Sequence, residues 1–228
     1  MNSENHHNKV VVDIETVGID FETLDSDQQK YLLKFAKSEE DAAQIKQQLN
    51  LYPLTAQIVA IGLLDPDTEK GIILFQSDKV ENYFSEDNKI TFSSDSEKNI
   101  VTTFWSIMQN CNKIITFNGR GFDAPFLMIR SAMLDIKTTV NLMPNRYSTD
   151  KHIDLLDQLT FYSATRKFSL DFYCKQFGIE SPKSHGITGL DMNKMFNDKK
   201  FKEIAEYCLW DLKATAQLYH KWAQNISH

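Results

Sequence analysis

The sequence predicts an α/β fold in which helices flank a central mixed β-sheet. Three patterns indicate it: a β-branched strand near the N-terminus, two apolar strands joined by a turn, and a later strand followed by helices. At 228 residues, with 42% hydrophobic and 25% charged residues, the chain can form one sizeable core. Because no linker-like stretch interrupts it, we expect a single domain over residues 1–228.

The predicted strands are short apolar runs bounded by turn residues. They are Val10–Thr16, Gln57–Leu64, Gly71–Gln76 and Lys113–Phe117. The turn residues Asp65-Pro66-Asp67 predict that the second and third strands form a hairpin. Residues 77–95 are polar and rich in serine and acids, so they are predicted to form a loop.

The predicted helices show apolar residues at helical spacing. A helical insertion is expected at about residues 21–51, before a proline that ends it. The other helices are Glu97–Gln109, a segment ending near Leu134, Ser169–Phe177 before Gly178, and Lys200–Ala223. In the helix from Glu97, the predicted buried residues are Ile100, Val101, Phe104, Trp105 and Met108. Residues 182–189 are predicted to be a flexible loop.

Charge and cysteine content limit the classes of protein. A net charge of −6 disfavours a protein that binds nucleic acid by overall charge, although basic residues outnumber acids from Lys137 to Lys183. The cysteines Cys111, Cys174 and Cys208 are odd in number and widely spaced. They predict reduced, buried thiols in a cytoplasmic protein, with neither a zinc site nor a disulfide framework.

Neither a membrane span nor a signal peptide is expected. No run of 18 apolar residues occurs, and the polar segment Met1–Lys9 leads directly into the first strand. His6 and His7 are expected in a disordered tail and receive no role.

Two acids follow the first strand's apolar run, in Val12-Asp13-Ile14-Glu15-Thr16. Alternate strand residues share a face, so Asp13 and Glu15 project together and repel each other. A magnesium or manganese ion would compensate this repulsion, because both prefer oxygen ligands. With 31 acidic residues in the chain, such a pair also arises by chance.

Two further acids lie on later elements. Asp123 begins a helix after the glycine-containing turn Asn118–Gly121, where it could instead favour the positive helix end. Asp211 lies four residues after Tyr207, so both side chains share one helix face. An exposed acid beside a core tyrosine is the alternative there.

In this order, the three motifs resemble the DEDD superfamily of 3′–5′ exonucleases. The sequence is most similar to the proofreading exonuclease domain of family B DNA polymerases, here as a stand-alone chain. The residues that carry the resemblance are Asp13-Ile14-Glu15-Thr16, Asn118 with Phe122-Asp123, and Tyr207 with Asp211. Weaker similarity lies at Gln57–Gly62, Ser169–Asp171 and Gly178–Ile179, whereas residues 21–51 and 77–95 fall outside the resemblance.

The resemblance implies a ribonuclease H-like fold and a two-metal reaction with Mg²⁺ or Mn²⁺. Asp13 would bridge both ions, Glu15 and Asp211 would complete one site, and Asp123 would support the other. Tyr207 would orient the attacking water. Tyrosine at this position, four residues before the final aspartate, fits the tyrosine subtype.

The resemblance also implies substrate contacts. Thr16 would contact the terminal nucleotide, Asn118 and Phe122 would hold the strand end, and Lys183 would contact a phosphate. Arg166 and Lys167 are further phosphate candidates. His152 and Asp154 are expected to have a structural role. The expected substrate is single-stranded nucleic acid, with DNA favoured and RNA possible, and protein partners cannot be inferred.

Three alternatives stay open on the sequence alone. The first is an RNA-directed exonuclease of the same superfamily. The second is a haloacid-dehalogenase-like phosphatase, whose Asp-x-Asp-x-Thr pattern differs at Glu15 and Thr16. The third is a nuclease-like fold that binds nucleic acid or a partner without hydrolysing it, and the intact acids disfavour it.

Overall fold

The computed structural model describes residues 9–227, apart from the side chains of His185 and Leu190. His6 and His7 therefore lie outside the described residues. The strands are β1 (Lys9–Gly18), β2 (Ala56–Leu64), β3 (Gly71–Gln76), β4 (Asn82–Phe84), β5 (Ile90–Asp95), β6 (Lys113–Thr116) and β7 (His152–Asp154).

In the described part of the chain, these strands form one mixed sheet in the order β4-β5-β3-β2-β1-β6-β7. Strand β2 runs antiparallel to both β1 and β3, which confirms the predicted hairpin. Strands β1, β6 and β7 are parallel neighbours, so their carboxyl ends lie at one edge of the sheet. Asp13 and Glu15 lie in β1 beyond its pairing with β6, and Asn118 and Asp123 follow β6, so these motif residues lie at that edge.

The helices are α1 (Ser26–Leu32), α2 (Glu39–Gln47), α3 (Glu97–Met108), α4 (Asp123–Met133), α5 (Leu155–Leu159), α6 (Leu170–Phe177), α7 (Met192–Asn197) and α8 (Phe201–Asn225). All five residues predicted to be buried in α3 are buried. Gly178 ends α6 with φ 68°, a left-handed conformation that glycine adopts without strain. No helix within residues 9–227 combines the length and apolar character needed to cross a membrane.

The structure corrects one predicted loop. Residues 77–95 contain β4 and β5, and β5 pairs in parallel with β3. The polar sequence of β5 conceals an alternating pattern in which Ile90, Phe92 and Ser94 are buried. The buried Ser94 hydroxyl donates to the Lys79 carbonyl, so this polar residue suits an inner position. Residues 182–189 include a 3₁₀ turn, Pro182–His185.

Hydrophobic cores cover both faces of the sheet. On β1, Val10, Val12 and Ile14 pack on the face covered by α3 and α4. Val11 and Val17 pack on the opposite face, which α8 covers. The alternation of the strand therefore directs Asp13 and Glu15 towards α8.

Candidate metal centre and substrate cleft

Asp13, Glu15 and Asp211 meet at the contact between β1 and α8. Each offers a carboxylate oxygen, and these three oxygens all lie within 4.8 Å of one another. Glu15 is buried, whereas Asp13 and Asp211 are half-buried, so the cluster has access to solvent. Residues almost two hundred positions apart in sequence thus form one acidic group.

Gly62 allows β1 and α8 to approach each other because it has no side chain at the point where α8 crosses the sheet. It pairs with Asp13 across β1 and β2. A Cβ atom at Gly62 would lie 2.3 Å from Leu212 Cδ1 and 2.9 Å from Cys208 Sγ. Such distances are too short for carbon and sulfur atoms, so α8 would have to move. The close approach also lets the Cys208 thiol face the Asp13 carbonyl, with Sγ 3.8 Å from the oxygen.

Asp123 lies beside this cluster, outside the group of three. Its Oδ1 accepts a hydrogen bond from the Ile14 backbone N–H at 3.0 Å. This bond fixes the start of α4 against the middle of β1 and leaves the second carboxylate oxygen available. The charge of Asp123 raises the pKa of both Asp13 and Glu15, although burial contributes more to each.

Burial raises the pKa of every carboxyl group in this region, and repulsion by neighbouring acids adds to it for Asp13, Glu15 and Asp123. The pKa of Asp13 and of Glu15 lies well above the usual range, chiefly through burial and then through the charge of Asp211. Burial raises the pKa of Asp123 to about 7 and that of Asp211 to about 7. Without a cation, the folded protein therefore resists full ionisation of these groups.

The donor set fits a hard divalent cation. Carboxylate oxygens are the ligands that magnesium and manganese prefer. Among the side chains that the structure describes, no ion pair within 4.0 Å neutralises Asp13, Glu15 or Asp211. Lys183 lowers the pKa of Asp211 through its charge but forms no such pair with it. A cation would supply the compensating charge that this cluster lacks.

Tyr207 lies on the same face of α8 as Asp211, as its spacing predicted. Its hydroxyl lies near the Asp211 carboxylate, so each group affects the pKa of the other. Burial, followed by the charges of Asp211, Glu15 and Asp13, raises the pKa of Tyr207 above its usual range. The phenol therefore keeps its proton at neutral pH.

Asp154 holds the turn that precedes Asp123. Its carboxylate accepts hydrogen bonds from the backbone N–H groups of Asn118, at 3.0 Å, and Arg120, at 2.8 Å. Asn118 has φ 61°, a left-handed conformation that asparagine tolerates better than most residues. The buried carboxylate of Asp154, on β7, therefore fixes the backbone conformation of this turn, in agreement with the structural role expected for Asp154.

His152 supports the same edge of the sheet. Its Nδ1 lies 2.9 Å from the Leu142 carbonyl, and its Nε2 lies 2.8 Å from the Thr116 hydroxyl. Because a carbonyl only accepts, Nδ1 carries the proton and Nε2 accepts from Thr116. Burial lowers the pKa of His152 to about 4, so the ring is neutral at physiological pH.

A cleft of about 350 Å³ opens beside the acidic cluster. It is lined by Ile14, Glu15, Thr16, Asn50, Leu51, Phe122, Lys183, Thr188, Gly189 and Met192. Three of the predicted substrate contacts, Thr16, Phe122 and Lys183, are in this lining. The fourth, Asn118, is outside it and forms the neighbouring turn. The Thr16 hydroxyl donates to the Asn50 carbonyl at 2.7 Å and so joins β1 to the insertion.

The sequence did not identify the part of the cleft formed by the insertion and by residues 188–193. Asn50 and Leu51 lie in the cleft wall, although neither belongs to a recognisable motif. Asn193 accepts a hydrogen bond from the Gly18 backbone N–H at 2.9 Å and joins α7 to the end of β1. These contacts depend on how distant segments pack, and no spacing in the sequence signals them.

Most of the chain is similar to known proteins. Residues 55–226 match a family model described as a predicted 3′–5′ exonuclease related to the exonuclease domain of PolB. Over 169 residues the chain is 22% identical to DNA polymerase 1 of Sulfolobus acidocaldarius, covering 71% of this chain and 19% of that protein. DNA polymerase 1 of Sulfurisphaera ohwakuensis is 21% identical over 168 residues, with the same coverage. The chain thus spans about a fifth of the length of these relatives.

A structural comparison identifies the fold. The family B DNA polymerase of Pyrobaculum calidifontis superposes with a TM-score of 0.60 at 16% sequence identity, covering 94% of this chain and 24% of that chain. The mixed sheet with flanking helices is therefore the ribonuclease H-like fold expected from the resemblance. Strand β1, with Asp13 and Glu15, precedes the part matched by the family model.

Proposed function

Because this chain belongs to the family of predicted 3′–5′ exonucleases related to the exonuclease domain of PolB, we propose that it hydrolyses phosphodiester bonds at the 3′ end of single-stranded DNA. Nucleoside 5′-monophosphates are the expected products. The observation that carries the proposal is the cluster of Asp13, Glu15 and Asp211, whose oxygens lie within 4.8 Å beside a cleft. Attack on a phosphodiester requires positive charge near the phosphate, and these acids suit a cation that supplies it.

Two divalent cations, Mg²⁺ or Mn²⁺, are the proposed cofactors. Asp13, Glu15 and Asp211 would hold one ion, and Asp123 together with Asp13 would hold the other. Bound cations would favour formation of the nucleophile and stabilise the departing oxygen. The buried position of Asp123, beside the cluster of three, supports its assignment to the second ion.

The chain's own residues would orient the reactants. The neutral Tyr207 hydroxyl would position the attacking water next to Asp211. Phe122, in the cleft wall, would contact the terminal base, and Lys183 would contact a phosphate. Thr16 would present its backbone and methyl group, since its hydroxyl already bonds Asn50. Asn118 would act at the strand end from the turn that Asp154 holds.

We further propose that residues 1–228 form one catalytic domain with a helical insertion at about 21–51, and that it acts in the cytoplasm. The three cysteines are free, with Cys174 and Cys208 buried and Cys111 half-buried. Unpaired thiols are typical of proteins in a reducing compartment. The preference for DNA rests on the polymerase relatives, and no cleft residue that we identify excludes a 2′-hydroxyl.

Hydrolysis of matched single-stranded DNA and RNA 20-mers tests the proposal. Substrates labelled at the 5′ end are incubated with Mg²⁺, Mn²⁺ or EDTA. We expect a ladder that shortens from the 3′ end with either metal and none in EDTA. Asp13→Asn should lower the rate by roughly a hundredfold to a thousandfold, the size expected when a main electrostatic contribution is removed. Asp150→Asn, which changes an exposed acid, is the matched control.

The outcomes separate the alternatives. Faster hydrolysis of RNA would identify an exoribonuclease. Binding of the 20-mers without hydrolysis in either metal would identify a nucleic-acid-binding module. Equal rates for Asp13→Asn and the native protein would contradict the assignment of the acidic cluster.

A further inference from the structure

The insertion between β1 and β2 presents an unusual apolar surface to solvent. Helices α1 and α2 contain no buried residue. Tyr31 is 76% exposed, Phe35 80%, and Tyr52 55%. Single exposed hydrophobic residues are common on protein surfaces, whereas several large aromatic side chains exposed on one short insertion make a candidate binding surface. The insertion precedes residues 55–226, so the family match gives it no role.

The insertion is anchored to the cleft. Its final turn supplies Asn50 and Leu51 to the cleft wall, and Leu51 is 45% exposed there. Leu49 is buried, and the Thr55 hydroxyl donates to the Leu49 carbonyl at 2.8 Å. With the bond between Thr16 and Asn50, these contacts fix the segment in place. Tyr52 is therefore the next residue in the chain after Leu51, which lines the cleft.

Side-chain contacts also tie the start of the insertion to its helices. The ring of Phe21 is buried, and Lys46 Nζ lies 4.3 Å from its centroid. Lys46 Nζ also lies 3.1 Å from Glu22 Oε1. The Gln29 amide donates to the carbonyls of Phe21 and Leu24, at 3.3 and 3.0 Å. Helices α1 and α2 are thus connected to the segment that leaves β1.

The exposed surface carries a local run of lysines between two acidic segments. Residues 21–51 as a whole hold six acids and four lysines, with Asp25 and Asp27 before the run and Glu39, Glu40 and Asp41 after it. The run Lys30-Tyr31-Leu32-Leu33-Lys34-Phe35-Ala36-Lys37 carries three lysines and no acid, in a chain of net charge −6. Lys34 Nζ lies 5.5 Å from the Phe35 centroid, so a cation and an exposed ring are presented together. Lys30 also has an exposed pair with Asp27 at 3.6 Å, which contributes little. Lysines interleaved with exposed aromatic rings are typical of surfaces that bind single strands.

We propose that the insertion guides the single-stranded substrate into the cleft. Leu51 and Tyr52 receive bases next to the terminal nucleotide, and the run Lys30–Lys37 binds the strand farther from its 3′ end. The assignment of strand direction rests on the proposed exonuclease activity, whereas binding itself does not. A strand approaching acids on β1 and α8 is repelled by them, so lysines outside the cleft contribute to its capture.

Equilibrium binding tests the proposal independently of hydrolysis. Fluorescence anisotropy of a labelled single-stranded DNA 20-mer is measured in EDTA, where no hydrolysis is expected. We expect Tyr31→Ala/Phe35→Ala and Tyr52→Ala to raise Kd by roughly 5- to 150-fold for each base that no longer stacks on an aromatic ring. Lys34→Gln/Lys37→Gln should reduce the slope of log K against log salt by about 1.4. Phe84→Ala, a 64% exposed aromatic on edge strand β4, is the matched control and should leave Kd unchanged.

Hydrolysis with Mg²⁺ then compares a 20-mer with a trinucleotide. Tyr31→Ala/Phe35→Ala and Lys34→Gln/Lys37→Gln should lose more kcat/KM on the 20-mer than on the trinucleotide, since only the longer strand would reach the run Lys30–Lys37. Tyr52→Ala should lose kcat/KM on both substrates, because Tyr52 receives bases next to the terminal nucleotide. Circular dichroism and Tm should match the native protein, because the changed side chains are exposed.

The results separate this proposal from the exonuclease activity. If the native protein binds the 20-mer without hydrolysing it, and the insertion variants lose this binding, the proposed role of the insertion is supported and the proposed exonuclease activity is rejected. Variants that bind and hydrolyse both substrates as the native protein does would overturn the guide alone. A native protein that binds no 20-mer would overturn both. Self-association that the same variants abolish, with DNA binding intact, would assign the surface to a second copy of the chain and overturn the guide.

Discussion

Replacing Asp123 by asparagine should stabilise the metal-free protein at pH 8. Burial raises the pKa of this carboxyl group from 3.8 to about 7. Because the folded state holds the proton more tightly than the unfolded chain, ionisation opposes folding. The cost is absent below about pH 4, grows between about pH 4 and 7, and is complete above that range. At about 1.4 kcal/mol per tenfold change in proton affinity, it reaches at most about 4 kcal/mol.

Asparagine removes the charge and retains an oxygen that can accept from the Ile14 N–H. If half of the maximum is realised, about 2 kcal/mol, Tm should rise by about 4–8 °C in a chain of this size. Differential scanning calorimetry in EDTA at pH 5 and pH 8 measures this, with Asp150→Asn as the exposed control. The increase should be complete at pH 8 and roughly a third to a half as large at pH 5, because the unfolded carboxyl group already ionises below pH 5. An unchanged or lower Tm for Asp123→Asn at pH 8 would refute the electrostatic reasoning.

Three further predictions concern the elements that support the site. Gly62→Val should push α8 from the sheet through Leu212, destabilise the fold by about 1–3 kcal/mol, and abolish hydrolysis, as Tm and rate measurements check. Tyr207→Phe should retain Tm but lower kcat by about tenfold to a hundredfold, since only the water-orienting hydroxyl is removed; an unchanged kcat would remove Tyr207 from the mechanism. Asp154→Ala leaves four backbone N–H groups, those of Asn118, Arg120, Leu156 and Asp157, without this acceptor, so urea unfolding should show a loss of about 1–3 kcal/mol or more.

Local pattern was sufficient to predict most of the sheet and part of the site. Strand alternation placed Asp13 and Glu15 on one face, and helical spacing placed Tyr207 with Asp211. The strand β5 was missed because its inner positions include a serine whose hydroxyl finds a partner inside the protein. Composition alone did not distinguish such a strand from a loop.

The meeting of these motifs depends on packing between distant segments. A missing side chain at Gly62 lets α8 reach β1, and only the folded chain reveals that fit. Asp123 lies outside the cluster of three and accepts a hydrogen bond from the Ile14 N–H, a contact that no motif encodes. The insertion was predicted to be helical, and the outward direction of Tyr31 and Phe35 followed only from the structure.

The binding of Mn²⁺ to the native protein measures most directly whether the acids form a cation site. Electron paramagnetic resonance or titration calorimetry gives the number of ions and their affinity. Two ions per chain are expected, with a large loss of affinity in Asp13→Asn and none in Asp150→Asn. Absence of saturable binding at millimolar Mn²⁺, or equal binding by Asp13→Asn, would contradict a metal centre at Asp13, Glu15 and Asp211.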